Sequence, residues 1–150
     1  MYKRFYVASP MRGDIKENLK RAAKYCEKVS YDGIPICPHL YFSTFLDDNY
    51  PGDRRKGMWM GQELLKSCDE LLIFTDEVTE GIIAEIKLAK ENRIPIKFYD
   101  ADMHLIEYDA LIINDRIGPG YKKIIEDYYN PKCNECPEDC PVRRNRHECI

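Results

Sequence analysis

Through roughly the first 100 residues, short apolar runs alternate with longer stretches in which apolar positions recur every three or four residues. That alternation predicts helices laid over a mainly parallel sheet. Four strands are expected, Phe5 to Ser9, Ile34 to Cys37, Glu70 to Phe74 and Pro95 to Tyr99. In the first helix Asp14 is the expected N-cap, and Ile15, Leu19, Ala22, Ala23, Cys26 and Val29 recur at helical spacing until Asp32-Gly33 ends the pattern. The second helix is expected over Lys56 to Cys68, the third from Thr79 or Glu80 to Asn92. Pro38 to Arg55 reads as a long loop or lid, shortened if Ser43 to Leu46 forms a brief helix. After Asp100, Ala110 to Ile113 is a candidate fifth strand and Gly120 to Tyr129 a short helix.

These elements predict a flavodoxin-like three-layer α/β sandwich with strand order 2-1-3-4, followed by a compositionally separate extension. Residues 1–130 are expected to form the α/β domain and 131–150 a cysteine-rich tail. At 150 residues, a single domain can bury enough surface to own a core without metal or disulfides. The 23 basic against 26 acidic side chains leave a net charge of -3, which argues against a nucleic-acid polymer as partner and leaves small, even anionic, ligands open. No apolar run approaches the ~20 residues of a membrane span, and the N-terminus lacks a signal-peptide core. A cytoplasmic protein is therefore expected, and its seven cysteines should be mostly reduced.

In a sheet of this order the loop after strand one, Ser9-Pro10-Met11-Arg12-Gly13, meets the loop after strand three, Thr75 to Gly81, at the carboxyl edge. Hydroxyls, a guanidinium, carboxylates and two glycines converge there, a set that suits a sugar or phosphate. On the following helix Ile82, Ile83, Ile86 and Ala89 form the apolar stripe. Glu85 falls about 90° from its centre, on the boundary, while Glu80, Lys87 and Glu91 lie farther round. On periodicity alone the plainer reading of Glu85 is a solvated boundary glutamate, although Leu88 and Ala89 deny it an ion pair within the helix. His39, after Pro38 at the end of strand two, is either a satisfied structural histidine or a nucleobase-binding or acid group. Met58, Trp59 and Met60 read as a packing face or subunit interface before a stacking platform, and Asp47-Asp48 as a solvated loop before a cation site. Cys26, Cys37 and Cys68 read as buried small hydrophobes.

Within the tail, Cys133-x2-Cys136-x3-Cys140-x8-Cys149, with His147 as an alternative ligand, places four or five soft ligands in 17 residues. The set suits structural zinc, with an iron–sulfur cluster as the second option. Arg143, Arg144, Arg146 and Lys132 are balanced by Glu135, Glu138, Asp139 and Glu148, so the tail reads as an interaction module rather than a nucleic-acid arm.

Tyr6, the Ser9 to Gly13 turn and Thr79-Glu-Gly81-Ile-Ile-Ala-Glu85 together resemble the nucleoside 2-deoxyribosyltransferase superfamily, including its deoxynucleoside 5'-monophosphate N-glycosidases. The resemblance covers Phe5 to Tyr99. Pro38-His39-Leu40 and Asp47-Asp48 are similar to segments of its uncharacterised bacterial and phage members. It implies cleavage or transfer of an N-glycosidic bond, with Glu85 as nucleophile. Thr79 and Gly81 would touch the sugar or 5'-phosphate, and Tyr6, Ser9, Arg12 and Gly13 would line the pocket, Arg12 as a phosphate fork. An attacking carboxylate must stay ionised at neutral pH, so Glu85 is expected to escape deep burial and to receive hydrogen bonds. No organic cofactor is implied, and homo-oligomers are. One position departs: where catalytic relatives carry a helix aspartate, eight residues before Asp69, this chain has Gly61. The second acid would then come from Asp76, Asp48 or His39. Two other readings remain, a catalytically silent nucleotide sensor and a zinc-dependent interaction protein.

Overall fold

The structure, a computed structural model, describes residues 2–11, 13–75, 77–106, 112–113 and 123. Arg12, Asp76 and the tail cysteines with His147 lie outside the described residues, as does the helix expected over 120–129, apart from Lys123. In chain order the elements are β1 (Arg4–Ala8), α1 (Ile15–Val29), β2 (Ile34–Ile36), α2 (Pro38–Phe42), α3 (Pro51–Lys66), β3 (Glu70–Phe74), β4 (Glu77–Val78), α4 (Glu80–Glu91), β5 (Ile96–Tyr99) and β6 (Ile112–Ile113). The main sheet has four strands in the order β2-β1-β3-β5, all parallel. This is the expected flavodoxin-like order. Ile112–Ile113, within the candidate fifth strand, pairs instead with β4 in a separate two-stranded sheet.

Alternation along the strands separates two cores. Tyr6, Ala8, Leu71, Ile73, Ile96 and Phe98 pack with Leu65 of α3 and with Ile82, Ile83, Ile86 and Ala89 of α4. Phe5, Val7, Leu72 and Phe74 pack with Ala22, Tyr25 and Val29 of α1. Neighbouring positions on a strand point to opposite faces, so β1 and β3 are apolar beyond their first residues, Arg4 and Glu70, where helices cover both sides; Glu70 is paired with Lys97 at 3.1 Å. Each of β1's last four residues and all of β3 are accordingly buried.

The helix ends follow local chemistry. Asp14 accepts a hydrogen bond from the Glu17 N–H at 3.1 Å, as an N-cap should. The buried side of α1 is turned from the expected stripe: Tyr25 is buried, whereas Ile15 and Ala23 are exposed. Tyr25 earns its place by stacking on Phe74, with ring centroids 4.5 Å apart. Gly33 follows α1 where a Cβ would come within 2.5 Å of the Lys3 carbonyl oxygen, so only glycine admits this close return into β2.

The segment expected as a long loop or lid is mostly helical. Pro38 opens α2 and Pro51 opens α3, each within the first turn, where a fixed φ suits the helix and the missing N–H costs nothing. The second long helix therefore begins at Pro51 rather than Lys56. Met58 and Trp59 are 54% and 62% exposed, which removes the packing-face reading for them. The buried side of α3 is small, built on Gly61 and Leu65.

Candidate active site

Tyr6 lies in the middle of β1, in register with Ile36 on one side and Leu71 on the other, and its ring belongs to the α3–α4 core. Glu85 lies in the second turn of α4, where Ile82, Ile83 and Ile86 anchor the helix to the sheet. The Tyr6 hydroxyl donates to Glu85 Oε1 at 3.2 Å. The partner that α4 could not supply thus comes from β1, 79 residues away in sequence.

The two groups shape one another. Burial, then the adjacent Glu85 carboxylate, pushes the Tyr6 hydroxyl far above the ordinary phenol range, so it remains a donor at every physiological pH. Burial raises the Glu85 carboxyl to about 7, with the Tyr6 hydrogen bond opposing the rise. The expectation that Glu85 escapes deep burial holds for the residue as a whole, but full ionisation at neutral pH does not follow from it. The residue keeps some exposed surface, but its carboxyl group sits close enough to the apolar α3–α4 core to disfavour the charge. The expected stabilising hydrogen bond is present.

Gly61 of α3 faces the same pair. A Cβ at this position would stand 3.4 Å from the Tyr6 hydroxyl. The helix position at which the resemblance places a second acid therefore adjoins Tyr6 and Glu85, and in this chain it carries no side chain.

Other expected site residues are distributed along the carboxyl edge. Ser9 is 6% exposed, and its hydroxyl has no hydrogen-bond partner among the described residues. Gly13 has φ +90, a left-handed value that glycine adopts freely. Thr79 occupies the N-cap of α4 without a side-chain capping bond, and Gly81 has open space where a Cβ would stand. His39 is half-buried in α2. Burial holds its pKa below the ordinary value, with the Asp48 charge opposing, so the imidazole is neutral near pH 7. No hydrogen bond among the described residues joins it to Tyr6 or Glu85. Asp47 and Asp48 are both exposed, and Asp47 closes a turn by accepting from the Asn49 N–H at 2.9 Å. That is the solvated loop expected of them.

Among the described residues, sequence reasoning placed Tyr6 and Glu85 in one site but missed Cys37. Its thiol lies within electrostatic reach of the pair, since the Cys37 charge raises Tyr6 and the Glu85 charge raises Cys37. A lone cysteine ending a strand gives no sequence signal of that proximity.

The family described as a domain of unknown function (DUF7768) matches residues 3–99, the span that contains the whole four-stranded sheet. No curated protein matches the chain. A solved structure described as a 2-deoxyribosyltransferase from the psychrotolerant bacterium Bacillus psychrosaccharolyticus, a biocatalyst for nucleoside synthesis, is similar in fold. Its TM-score is 0.54 at 16% identity, over 75% of this chain and 85% of that one.

Proposed function

The chain belongs to the family described as a domain of unknown function (DUF7768), a membership that brings no activity with it, and from the chemistry of its site we propose N-glycosidic bond cleavage or transfer. The substrates are nucleosides, deoxynucleosides or their 5'-monophosphates. The observation that carries the reading is the Tyr6–Glu85 pair, a desolvated carboxylate held by a hydroxyl that stays protonated. A carboxylate so placed is a nucleophile with weakened solvation. Tyr6 holds Oε1, and Oε2 attacks the anomeric carbon as the base departs with the electrons of the glycosidic bond. Water or a second base then releases the sugar from Glu85.

Without a hydrogen-bond partner among the described residues, the buried Ser9 hydroxyl supports a polar ligand at this edge, because leaving such a group unsatisfied costs about 1–3 kcal/mol. Arg12, Thr79 and Gly81 complete the sugar and phosphate contacts on the strength of the resemblance. Likeness in fold to a 2-deoxyribosyltransferase is consistent with a nucleoside substrate. A nucleotide-binding module without turnover is the second reading, favoured by Gly61, which leaves no side chain at the helix position where the resemblance places the second acid.

The test is release of free nucleobase, followed by liquid chromatography, from a panel of ribo- and deoxyribonucleosides and their 5'-monophosphates, for wild type and Glu85→Gln. Release that vanishes in the variant supports the covalent mechanism. No release from any panel member, with nucleotides still raising the melting temperature, would leave the binding module.

For the tail, the sequence supports structural zinc held by Cys133, Cys136, Cys140 and Cys149, with His147 as the alternative ligand.

A further inference from the structure

Cys26 and Cys37 are far enough apart in sequence to lie on different elements, one on α1 and the other between β2 and α2, where it is the N-cap residue. The fold brings them together. Both belong to the α1-side core, and both line an open groove of about 490 Å³ with Pro35, Ile36, Leu40 and Tyr41. The two thiols sit close enough to act on one another across this groove. Cys26 is half-buried, so solvent reaches one sulfur of the pair, while Cys37 is buried behind it.

We propose that Cys26 and Cys37 form a dithiol modification site, which hydrogen peroxide closes into a disulfide. Cys26 is the attacking sulfur: the hydrogen bond from Cys37 holds its thiol below the ordinary range, whereas the same bond and burial push Cys37 up. The Cys26 sulfur takes one peroxide oxygen, the O–O bond breaks, and sulfenic acid and water form. Cys37 then attacks the sulfenic sulfur, the S–O bond breaks, and the Cys37 proton leaves with the hydroxyl group as a second water. Two thiols are oxidised and one peroxide is reduced. Cys68 lacks this arrangement. Its thiol donates to the Leu64 carbonyl oxygen at 3.3 Å, and burial pushes it up to about 11.

The site is within electrostatic reach of the Tyr6–Glu85 pair through Cys37, which acts on Tyr6 and on which Glu85 acts. It stands or falls independently of the proposed glycosidase chemistry, because its readout is covalent mapping rather than turnover. The full chain is exposed to a small molar excess of hydrogen peroxide, alkylated, digested without reductant and mapped by mass spectrometry at all seven cysteines. The expected product is a Cys26–Cys37 linked peptide, two hydrogens lighter than its parts and reversed by dithiothreitol, with Cys68 recovered as the alkylated thiol. In Cys37→Ser the reaction should stop at a sulfenic acid on Cys26 that dimedone traps. Recovery of Cys26 and Cys37 as unmodified thiols while other cysteines oxidise, or linkage of either to a tail cysteine, would overturn the proposal. If Cys37→Ser does not fold, the wild-type map alone decides it.

Discussion

Glu85 carries a conflict between stability and chemistry that a single substitution can expose. Its folded pKa of about 7 stands above the ordinary 4.5. Between those values the folded protein holds a proton that the unfolded chain has lost, so this group's contribution to stability falls as pH rises through that window and stays low above it. At ~1.4 kcal/mol per pKa unit, Glu85→Gln should gain about 2 kcal/mol more at pH 8 than at pH 5. Thermal denaturation of both proteins at the two pH values measures this, and equal gains would sink the desolvation argument. Comparing variant with wild type also cancels His39, whose depressed pKa works in the opposite direction. On the proposed mechanism the sign reverses for turnover, because only an ionised Glu85 would attack, so kcat/KM should rise through about pH 7. Tyr6→Phe removes the bond that lowers the Glu85 pKa. It should cost roughly 10- to 100-fold in kcat/KM, from the ~1.5–3 kcal/mol of a hydrogen bond to a charged group, and move the pH midpoint upward. An unmoved midpoint would show that Tyr6 does not set the charge of Glu85.

At the scale of elements, α4 was legible because its apolar positions are consistent: Ile82, Ile83, Ile86 and Ala89 are its buried residues, and Thr79 and Asn92 bracket it. The segment from Pro38 to Arg55 was not. Its helices are short or start on prolines and bury few residues, so the 3.6-residue signal is thin. On α1 the stripe missed Tyr25, an amphipathic ring whose burial depends on Phe74 of β3. Helix α3 offers the sharpest test at this scale. Gly61→Ala should stabilise the helix by up to ~1 kcal/mol, since the new Cβ, 3.4 Å from the Tyr6 hydroxyl, makes an ordinary contact. The same methyl group narrows the space beside the Tyr6–Glu85 pair, so nucleobase release should fall while the melting temperature rises or holds. A loss of both would mean that the helix cannot accept the methyl group.

For the whole molecule, the parallel order β2-β1-β3-β5 sets β1 and β3 side by side, so the segments that carry Ser9 and Thr79 leave the same edge of the sheet, and among the described residues no helix is long and apolar enough to cross a membrane. The tail adds a separate prediction. If Cys133, Cys136, Cys140 and Cys149 hold zinc, purified protein should carry about one equivalent by elemental analysis, and Cys133→Ser with Cys136→Ser should lose it. Zinc retained in that double variant would place the metal elsewhere.

The sequence by itself determined the strands, the parallel order and the helix that carries Glu85, because each depends on local periodicity and on the narrow rules by which right-handed crossovers build a sheet. It also placed Glu85 at the edge of a buried stripe. Only the tertiary structure decided what that edge meets. Tyr6, Gly61 and Cys37 come from β1, α3 and the end of β2, and burial, charge and hydrogen bonding among them depend on distances that no spacing along the chain encodes. For the same reason the Cys26–Cys37 pair is invisible in sequence: two small apolar-looking positions become one reactive site only when α1 is laid across β2.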